Sequence, residues 1–399
     1  MDVSTTNTNH KITLGMLIGS LVTFANLYGP QTFIQHFTHD FDMSASESGL
    51  ALSISTFTLA FGMLVMAAIS NTWGRKNIMV FSLMSSSILY LLVGFAPNFE
   101  VLLMIRAIEG FALAGFPAIA VTYLAEELSG NQFPKALAVY ITGSGFGGFF
   151  GRIVSSSILD LSNWHTAVFV LGTLTLILSI IFIFLVEPSK NFIAQEFSIK
   201  NWIGGILAAC KDTKLWFFYG LGFLALGVYV AMFNYIGFPL IKSFGLSQTI
   251  VGFIFIFQLM GSVGSMTVGK LSDRYTRGQM LFASLVVALI GISLTAVHHL
   301  PIVLLGLFVL SCGFFAWHNL VSGWVSSSAI PTAKAYASSI YLLFYYVGSS
   351  VVGTVGGHFY DADGWNGVVG IMIACCIIGF VLLGLVEMKL KKITKHAAI

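Results

Sequence analysis

The chain has 399 residues, of which 57% are hydrophobic and only 9% are charged, and its formal net charge is +3. Soluble domains carry about 25% charged residues, so this composition excludes an ordinary water-soluble protein. The small positive charge gives no reason to expect nucleic acid as a partner. The four cysteines have no metal-ligand spacing, so we expect neither a metal site nor a cofactor.

Apolar stretches long enough to cross a bilayer, roughly 20 residues each, recur along the whole chain. Each is predicted to be helical, because lipid offers no partners for backbone N–H and C=O groups. The predicted spans are 12–36, 46–70, 77–96, 99–125, 135–158, 165–186, 215–238, 248–270, 279–297, 301–326, 335–358 and 365–387. The predicted fold class is therefore an all-α membrane protein.

The basic residues predict the orientation of these spans. If the N-terminus is inside, only Lys242 of the 19 Lys and Arg lies in an external loop. Arg106 and Arg152 lie within predicted helices, and all the others lie in cytoplasmic segments, as the positive-inside rule requires. We expect a multi-pass protein of the plasma or inner membrane of a prokaryote, with both termini cytoplasmic and no cleaved signal peptide.

Three ionisable side chains lie away from the ends of the predicted helices: Arg106 and Glu109 in helix four, and Arg152 in helix five. A charge at membrane depth costs at least about 2.5–3.5 kcal/mol on insertion scales, so each is a functional candidate. Arg106 and Glu109 are i,i+3 neighbours that can pair on one helix face. An ion pair that only locks helix four is therefore an equally good interpretation of Glu109.

The stretch GSGFGGFFGR, 143–152, satisfies the glycine pattern of a dinucleotide-binding loop. That pattern needs a preceding strand, whereas these glycines lie in the middle of a membrane helix, so the cofactor interpretation fails. Gly143, Gly147 and Gly151 instead share one helix face, which lets a second helix approach closely in lipid. Close packing is the favoured interpretation, and a role in gating is a further hypothesis.

A polar stretch, 187–214, separates two six-helix halves, which predicts domains 1–186 and 215–399 joined by a cytoplasmic linker. A linker that only keeps the halves together is the favoured interpretation of this stretch. Its apolar residues also fit one face of a short helix lying on the inner membrane surface: Phe197, Ile199, Trp202, Ile203, Ile206 and Leu207. The halves also share motifs at nearly one offset, pairing Asn71, Arg75, Asp160 and Trp164 with Asp273, Arg277, Asp361 and Trp365. Such duplication is typical of transporters that alternate the access of a midplane site.

Several of these segments resemble a known family. GKLSDRYTR, 269–277, is similar to the loop motif G-x-L-x-D-R-x-G-R of the major facilitator superfamily, and RAIEG, 106–110, to its R-x-x-Q-G motif. FNYIGF, CGFFAWHNLVSGW and SSIYLLFYYVGSSVVGTVGGHFYDADGWNGV resemble YnfM-type exporters of the proton-coupled drug and metabolite efflux group. The resemblance implies a transporter, not an enzyme, with twelve helices in two pseudo-symmetric halves.

The resemblance also implies a proton-coupling site. The family associates the arginine at the position of Arg106 with proton coupling, but it more often has glutamine where Glu109 stands. Glu109 is the only carboxylate in the middle of a predicted helix. It is therefore our candidate for the proton-carrying group.

Gating residues follow from the same resemblance. The family's loop motif bridges to an acid at the inner end of helix four, which predicts a contact of Arg75 with Glu126 or Glu127. Asn71 removes the motif's acid from the first half, whereas Asp273 and Arg277 retain the motif in the second, so we expect the first half to have the weaker lock. Efflux members carry G-x-x-x-G-P-x-x-G-G in helix five, which adds the glycines at 143, 147 and 151 to the gating candidates, with Gly148 replacing proline.

The substrate class is predicted from charge. Helices one, seven and ten, which line the cavity in this fold, contain no Asp or Glu. Two buried arginines against one glutamate then favour an anionic or zwitterionic solute, and the arginine fork suits carboxylates. The candidate substrate-binding residues are Arg106, Arg152, Asn26, Gln31, Asn234, His318 and Tyr345.

We therefore expect a monomeric secondary transporter that exports a small organic solute by proton antiport, with substrate, protons and membrane lipid as its partners. An opine-type metallophore such as staphylopine is one attractive substrate. A multidrug efflux pump, a proton-coupled importer and a transport-silent sensor stay open as alternatives. Primary active transport is disfavoured, because the chain has no nucleotide-binding phosphate loop.

Overall fold

The computed structural model describes residues 3–189, 191–192, 199–330 and 334–397. The first helices are α1 (Val3–Tyr28), a 3-10 helix (Gly29–Phe33), α2 (Ile34–Asp40), α3 (Ala45–Trp73), α4 (Arg75–Val93), α5 (Phe99–Leu113), α6 (Gly115–Glu127), α7 (Gln132–Leu161) and α8 (Trp164–Leu185). They are followed by α9 (Ile199–Lys211), α10 (Leu215–Tyr235), α11 (Gly237–Lys242), α12 (Gln248–Ile254), α13 (Ile256–Met260), α14 (Ser262–Leu271), α15 (Arg277–Thr295), α16 (Leu300–Ser328) and α17 (Lys334–Ala397). The all-α fold class is confirmed.

Eleven spans among the described residues are long and apolar enough to cross a membrane. The last, Tyr336–Lys389, has 54 residues, which is far more than one crossing needs. Non-helical backbone at Asp363 and Gly364 interrupts it, and Gly364 has a φ of 59° that glycine adopts without strain. The predicted spans 335–358 and 365–387 lie on the two sides of this break, so the structure agrees with twelve crossings.

Contacts divide the chain into two compact units. Unit 1 consists of Met1–Met43, Leu50–Ser198 and Leu246–Phe255, and unit 2 consists of Ser44–Gly49, Ile199–Gly245 and Ile256–Ile399. The first turn of α3 therefore belongs to unit 2, and α12 belongs to unit 1. The domain boundaries expected at 186 and 215 stay predictions.

Three of the long helices are interrupted next to a proline. Proline has no N–H with which to bond the carbonyl four residues before it. Pro30, Pro117 and Pro239 therefore leave the carbonyls of residues 26, 113 and 235 without their helical hydrogen bonds. The chain responds with a 3-10 helix after α1, a break between α5 and α6, and another between α10 and α11. In lipid such carbonyls need other donors, and neighbouring helices supply them for residues 26 and 113.

Ser82 on α4 supplies the donor at the α5–α6 break. Its hydroxyl lies 2.6 Å from the carbonyl oxygen of Ala112 and 3.2 Å from that of Leu113, which Pro117 leaves without a donor. The same oxygen accepts a hydrogen bond from Phe116 N at 3.1 Å. One hydroxyl therefore repairs the break and ties α4 to both helices.

The glycine face of α7 packs against α1. A Cβ added at Gly147 would lie 2.7 Å from backbone atoms of Leu21, and one at Gly151 would lie 2.6 Å from the carbonyl oxygen of Ala25. A Cβ at Gly143 would collide with Ser20. The close helix contact predicted from the spacing of these glycines is thus confirmed, and their role in gating stays a prediction.

The linker contains the predicted short helix, α9. Its apolar side chains Ile203 and Leu207 are 45% and 54% exposed, as expected for a helix that meets a membrane surface. Phe197, which the prediction included, lies outside the described residues. The position of α9 at the membrane surface stays a prediction.

We predict that Gly147→Ala destabilises the protein, because its new methyl group would displace the backbone of α1. Gly384→Ala in α17 is the matched control, since a Cβ there meets nothing within 4 Å. The alanine at 147 should lower the midpoint of thermal unfolding in detergent by several degrees, as overpacking costs about 1–3 kcal/mol. Equal midpoints for the two variants would contradict the close packing of α7 on α1.

Candidate functional site

Arg106 is the centre of a buried network in unit 1. Its side chain is completely inaccessible, and its guanidinium donates to three backbone carbonyls: Ala51 at 3.1 Å, Asn26 at 3.2 Å and Leu27 at 3.1 Å. The Asn26 carbonyl is the one that Pro30 leaves without its helical donor. Arg106 therefore replaces the missing N–H and joins α5 to α1 and α3.

Glu109 is the ion-pair partner of Arg106. Its Oε2 lies 2.7 Å from an Nη atom of Arg106, and both side chains are 0% exposed. Oε1 is also buried and has no hydrogen-bond partner among the described residues. The i,i+3 pairing expected from the sequence is confirmed, and it leaves one carboxylate oxygen with unused capacity.

Arg152 lies in a different environment in the same unit. Its guanidinium carbon is 4.5 Å from the ring centres of both Tyr28 and Phe255, so two aromatic faces stabilise the cation. Its Nε donates to Oε1 of Gln31 at 2.7 Å, and an Nη donates to the carbonyl of Gly148 at 3.0 Å. Sequence reasoning selected Arg152 and Gln31 but did not foresee that they would be bonded to each other.

The predicted site residues of unit 2 lie around a histidine. Nδ1 of His318 is 3.0 Å from the hydroxyl oxygen of Tyr341. The centre of the His318 ring is 4.5 Å from the centre of the Tyr345 ring. The ring of Phe314 stacks on those of Tyr229 and His318, with distances between ring centres of 3.9 Å and 6.2 Å. Aromatic rings thus surround a polar imidazole, a surface suited to a planar or partly apolar ligand.

Two amides complete the predicted set. Asn26 is buried in unit 1 and donates from Nδ2 to Ser87 Oγ at 3.3 Å. Asn234 is buried near the end of α10 in unit 2. The structure therefore brings Asn26, Gln31, Arg106, Glu109 and Arg152 into unit 1, and it places Asn234 with His318 and Tyr345 in unit 2. The part that each takes in substrate binding stays a prediction.

Two of the predicted gating residues of the first half, Arg75 and Glu126, form a compact group with Ser70 and Asn71, which we call the Arg75 cluster. Arg75 binds Glu126 through Nε at 3.1 Å and Nη2 at 2.7 Å, and its other Nη donates to Ser70 at 2.6 Å and Asn71 at 2.7 Å. Of the two acids that the sequence offered, Glu126 is therefore the partner. Glu127 instead accepts a hydrogen bond from the backbone N–H of Asn191 at 3.1 Å.

The second copy of this loop is built differently. Arg277 donates to Ser327 on α16, and no ion pair between Asp273 and Arg277 is present although the structure describes both residues. Asp273 is exposed. The duplicated motif therefore holds an arginine–carboxylate bond in unit 1 and an arginine–hydroxyl bond in unit 2.

Two duplicated aspartates have a role that sequence reasoning missed. In unit 1, Asp160 accepts hydrogen bonds from the backbone N–H groups of Gln248 at 3.0 Å and Thr249 at 2.8 Å. In unit 2, Asp361 accepts them from Ala45 at 2.9 Å and Ser46 at 3.1 Å. Each carboxylate thus caps the start of a helix, where unpaired donors and the helix dipole favour negative charge.

The described residues contain no group of three or more His, Cys, Asp or Glu that could hold a metal ion. The site is instead defined by buried arginines, one buried carboxylate and aromatic rings. With this geometry established, the chain can be compared with known proteins.

The family model of the Major Facilitator Superfamily matches residues 16–352 and 238–397. The chain belongs to this superfamily. The two overlapping matches together cover nearly the whole sequence, so the chain is a membrane transporter and not an enzyme.

Several relatives match the chain over almost its full length. The chain is 37% identical over 382 residues to the uncharacterized MFS-type transporter YybF of Bacillus subtilis, which covers 96% of this chain and 94% of the relative. It is 35% identical over 375 residues to the inner membrane transport protein YnfM of Escherichia coli, covering 94% and 89% respectively. The crystal structure of the nucleoside transporter NupG matches with a TM-score of 0.73 at 17% identity, covering 95% of this chain and 99% of NupG. That likeness concerns the fold.

The Arg75 cluster generates a double-mutant prediction. Arg75→Gln, Glu126→Gln and the double variant should give a coupling in unfolding free energy of about 0.5–3 kcal/mol, as expected for residues in one network. Asp273→Asn with Arg277→Gln is the matched control pair, because the structure shows no bond between those two residues. Thermal unfolding in detergent measures the coupling energy in both pairs. Equal coupling energies would contradict the difference between the two loops.

Proposed function

We propose that this protein is a secondary active transporter that exports a small anionic or zwitterionic organic solute by proton antiport across the plasma membrane, with both termini cytoplasmic. The observation that carries the proposal is the presence of two buried charged sites of different character in unit 1. One pairs Glu109 with Arg106, and the other holds Arg152 between two aromatic rings. Membership of the superfamily supports transport itself.

The first site suits proton exchange. Arg106 uses its donors on backbone carbonyls and on Glu109, so any loss of its interactions would also open the helix break after α1. Glu109 can gain or lose a proton without breaking those backbone bonds. We therefore assign Glu109 as the proton-carrying group and Arg106 as the residue that positions it.

The second site suits an anion. Arg152 keeps its positive charge at all physiological pH values, and the faces of Tyr28 and Phe255 hold the guanidinium in one plane. A carboxylate could exchange with the Gln31 amide oxygen, which is a neutral acceptor and binds a cation less strongly. We propose Arg152 and Gln31 as the anion-binding pair of unit 1, and His318 and Tyr345 stay separate candidates for solute binding in unit 2.

An untargeted mass-spectrometric comparison tests the function as a whole. Spent medium and cell extract would be compared between cells with this protein and cells without it. A carboxylate-rich metabolite that moves from medium to cytosol on loss of the protein supports export, and an opine-type metallophore is the leading candidate. Movement in the opposite direction would favour the importer, and resistance to ethidium without any metabolite shift would favour the multidrug pump.

Glu109→Gln should uncouple transport from the proton gradient. In proteoliposomes containing the solute identified above, the variant should lose accumulation driven by an imposed pH gradient but retain gradient-independent exchange of labelled for unlabelled solute. Glu100→Gln, an exposed acid in the first turn of the same helix, should keep both activities. Gradient-driven accumulation at the normal level in Glu109→Gln would rule out its role as the proton carrier.

Arg152→Lys should weaken solute binding while preserving the charge. Lysine cannot stack in a planar sandwich or present a two-pronged donor, so we expect roughly tenfold weaker binding, about the value of one charge-assisted hydrogen bond. Lys135→Arg, at an exposed position of the same helix, is the control for a change between the two basic side chains. Binding measured by calorimetry in detergent that is unchanged in Arg152→Lys would exclude this arginine from the substrate site.

A further inference from the structure

Unit 2 contains a groove whose lining includes none of the residues proposed for substrate binding, proton coupling or gating. It lies between α14 and α15, with α16 as its floor, and its volume is about 560 Å³. The two walls are both held closely on the floor helix: a Cβ added at Gly264 of α14 would collide with Cys312, and one at Gly313 would lie 2.6 Å from Ala288 of α15. Small residues therefore bring each wall onto α16 and leave a cleft between the walls.

The walls of this groove are largely apolar. They include Val263, Val268 and Leu271 from α14, and Met280, Ala283 and Val287 from α15. Val263 is 49% exposed, and Met266 on the same helix is 62% exposed. Both walls belong to spans that are apolar and long enough to cross a membrane, and an acyl chain is a ligand whose chemistry matches an exposed apolar surface there.

One end of the groove carries positive charge. Leu271, Tyr275 and Gln279 line the groove where α14 ends and α15 begins. Lys270, Asp273, Arg274 and Arg277, all of them exposed, lie in or beside this connection, and the carboxylate of Glu387 lies against Gly278, so three basic groups outnumber two acids. Tyrosine is enriched in membrane proteins at the depth of the lipid headgroups. Clustered basic residues beside a membrane helix attract anionic lipid.

We propose that this groove is a binding site for an anionic glycerophospholipid, with one acyl chain between α14 and α15 and the phosphate at Lys270 and Arg274. The inference goes beyond the transport function and does not depend on the direction of transport or on the solute. It joins two observations, an apolar cleft of defined shape and a basic segment at one end of it. Neither feature alone would select an anionic lipid over any other.

The test uses phosphatidylglycerol with a photoactivatable diazirine on one acyl chain, incubated with the full-length purified protein, and phosphatidylcholine with the same label. Cross-linked peptides would be located by mass spectrometry. We expect phosphatidylglycerol to label peptides of α14, α15 and α16 in preference to the rest of the protein, and to exceed phosphatidylcholine there. Labelling that is equal for the two lipids, or spread over the whole surface, would overturn the proposal.

Two kinds of variant separate the headgroup contact from the acyl-chain contact. Lys270→Gln and Arg274→Gln should each lower the phosphatidylglycerol preference by about fivefold, the effect of roughly one unit charge near an anionic surface. Lys135→Gln and Lys211→Gln, two exposed lysines elsewhere, are the matched controls. If Lys270→Gln and Arg274→Gln leave the preference for phosphatidylglycerol unchanged, the phosphate does not bind at this end of the groove.

Ala283→Trp should fill the cleft and reduce labelling by both lipids, since residue 283 is exposed and lines the groove. Ile290→Trp, at a position of α15 that is 49% exposed and outside the lining, is its control. If Ala283→Trp fails to fold, Thr267→Trp on the opposite wall replaces it. Full labelling in a folded, groove-filled variant would show that the acyl chain lies elsewhere.

Discussion

The fold of unit 1 depends on a single rule of the bilayer, that every backbone polar group needs a partner within the protein. Pro30 breaks that rule for the carbonyl of Asn26, and the guanidinium of Arg106 restores it. The same guanidinium binds the carbonyls of Leu27 and Ala51. A charge in the middle of the membrane is thus accepted because it replaces lost helical hydrogen bonds at the point where α1 ends.

This use of Arg106 limits what its partner can do. An arginine that holds three carbonyls cannot leave its place without exposing them, and an unsatisfied buried group costs about 1–3 kcal/mol. Glu109 contributes no comparable bond to the backbone, and one of its oxygens has no partner among the described residues. The arginine therefore provides a fixed positive field, and protonation of the glutamate would leave those backbone bonds intact. The family's frequent glutamine at this position is compatible with a fixed arginine and a variable neighbour.

The sequence was sufficient for features that depend on local spacing. Apolar composition and length predicted the spans, the four-residue glycine repeat predicted that a second helix packs closely on α7, and the i,i+3 rule predicted Arg106 with Glu109. The sequence could not predict which side chain repairs a given break. Pro117 shows that the carbonyl of Leu113 loses its donor, but the choice of Ser82 depends on how α4 packs. The bond between Gln31 and Arg152 was missed for the same reason, because it joins residues far apart in the chain.

The duplicated motifs show how far two copies of one segment have diverged. Asp160 and Asp361 have kept one function, since each caps the first turn of a helix through two backbone N–H groups. Arg75 and Arg277 have not, because one binds a carboxylate and the other a hydroxyl. A bidentate bond between charged groups is stronger than a bond to a neutral oxygen, so the two loops hold their helices with unequal strength. The bonds seen in the two units thus run against the expectation of a weaker lock in the first half. The difference between the two loops depends on Glu126 in α6. Its carboxylate is the partner of Arg75, because Asn71 stands where the loop motif itself would have an acid.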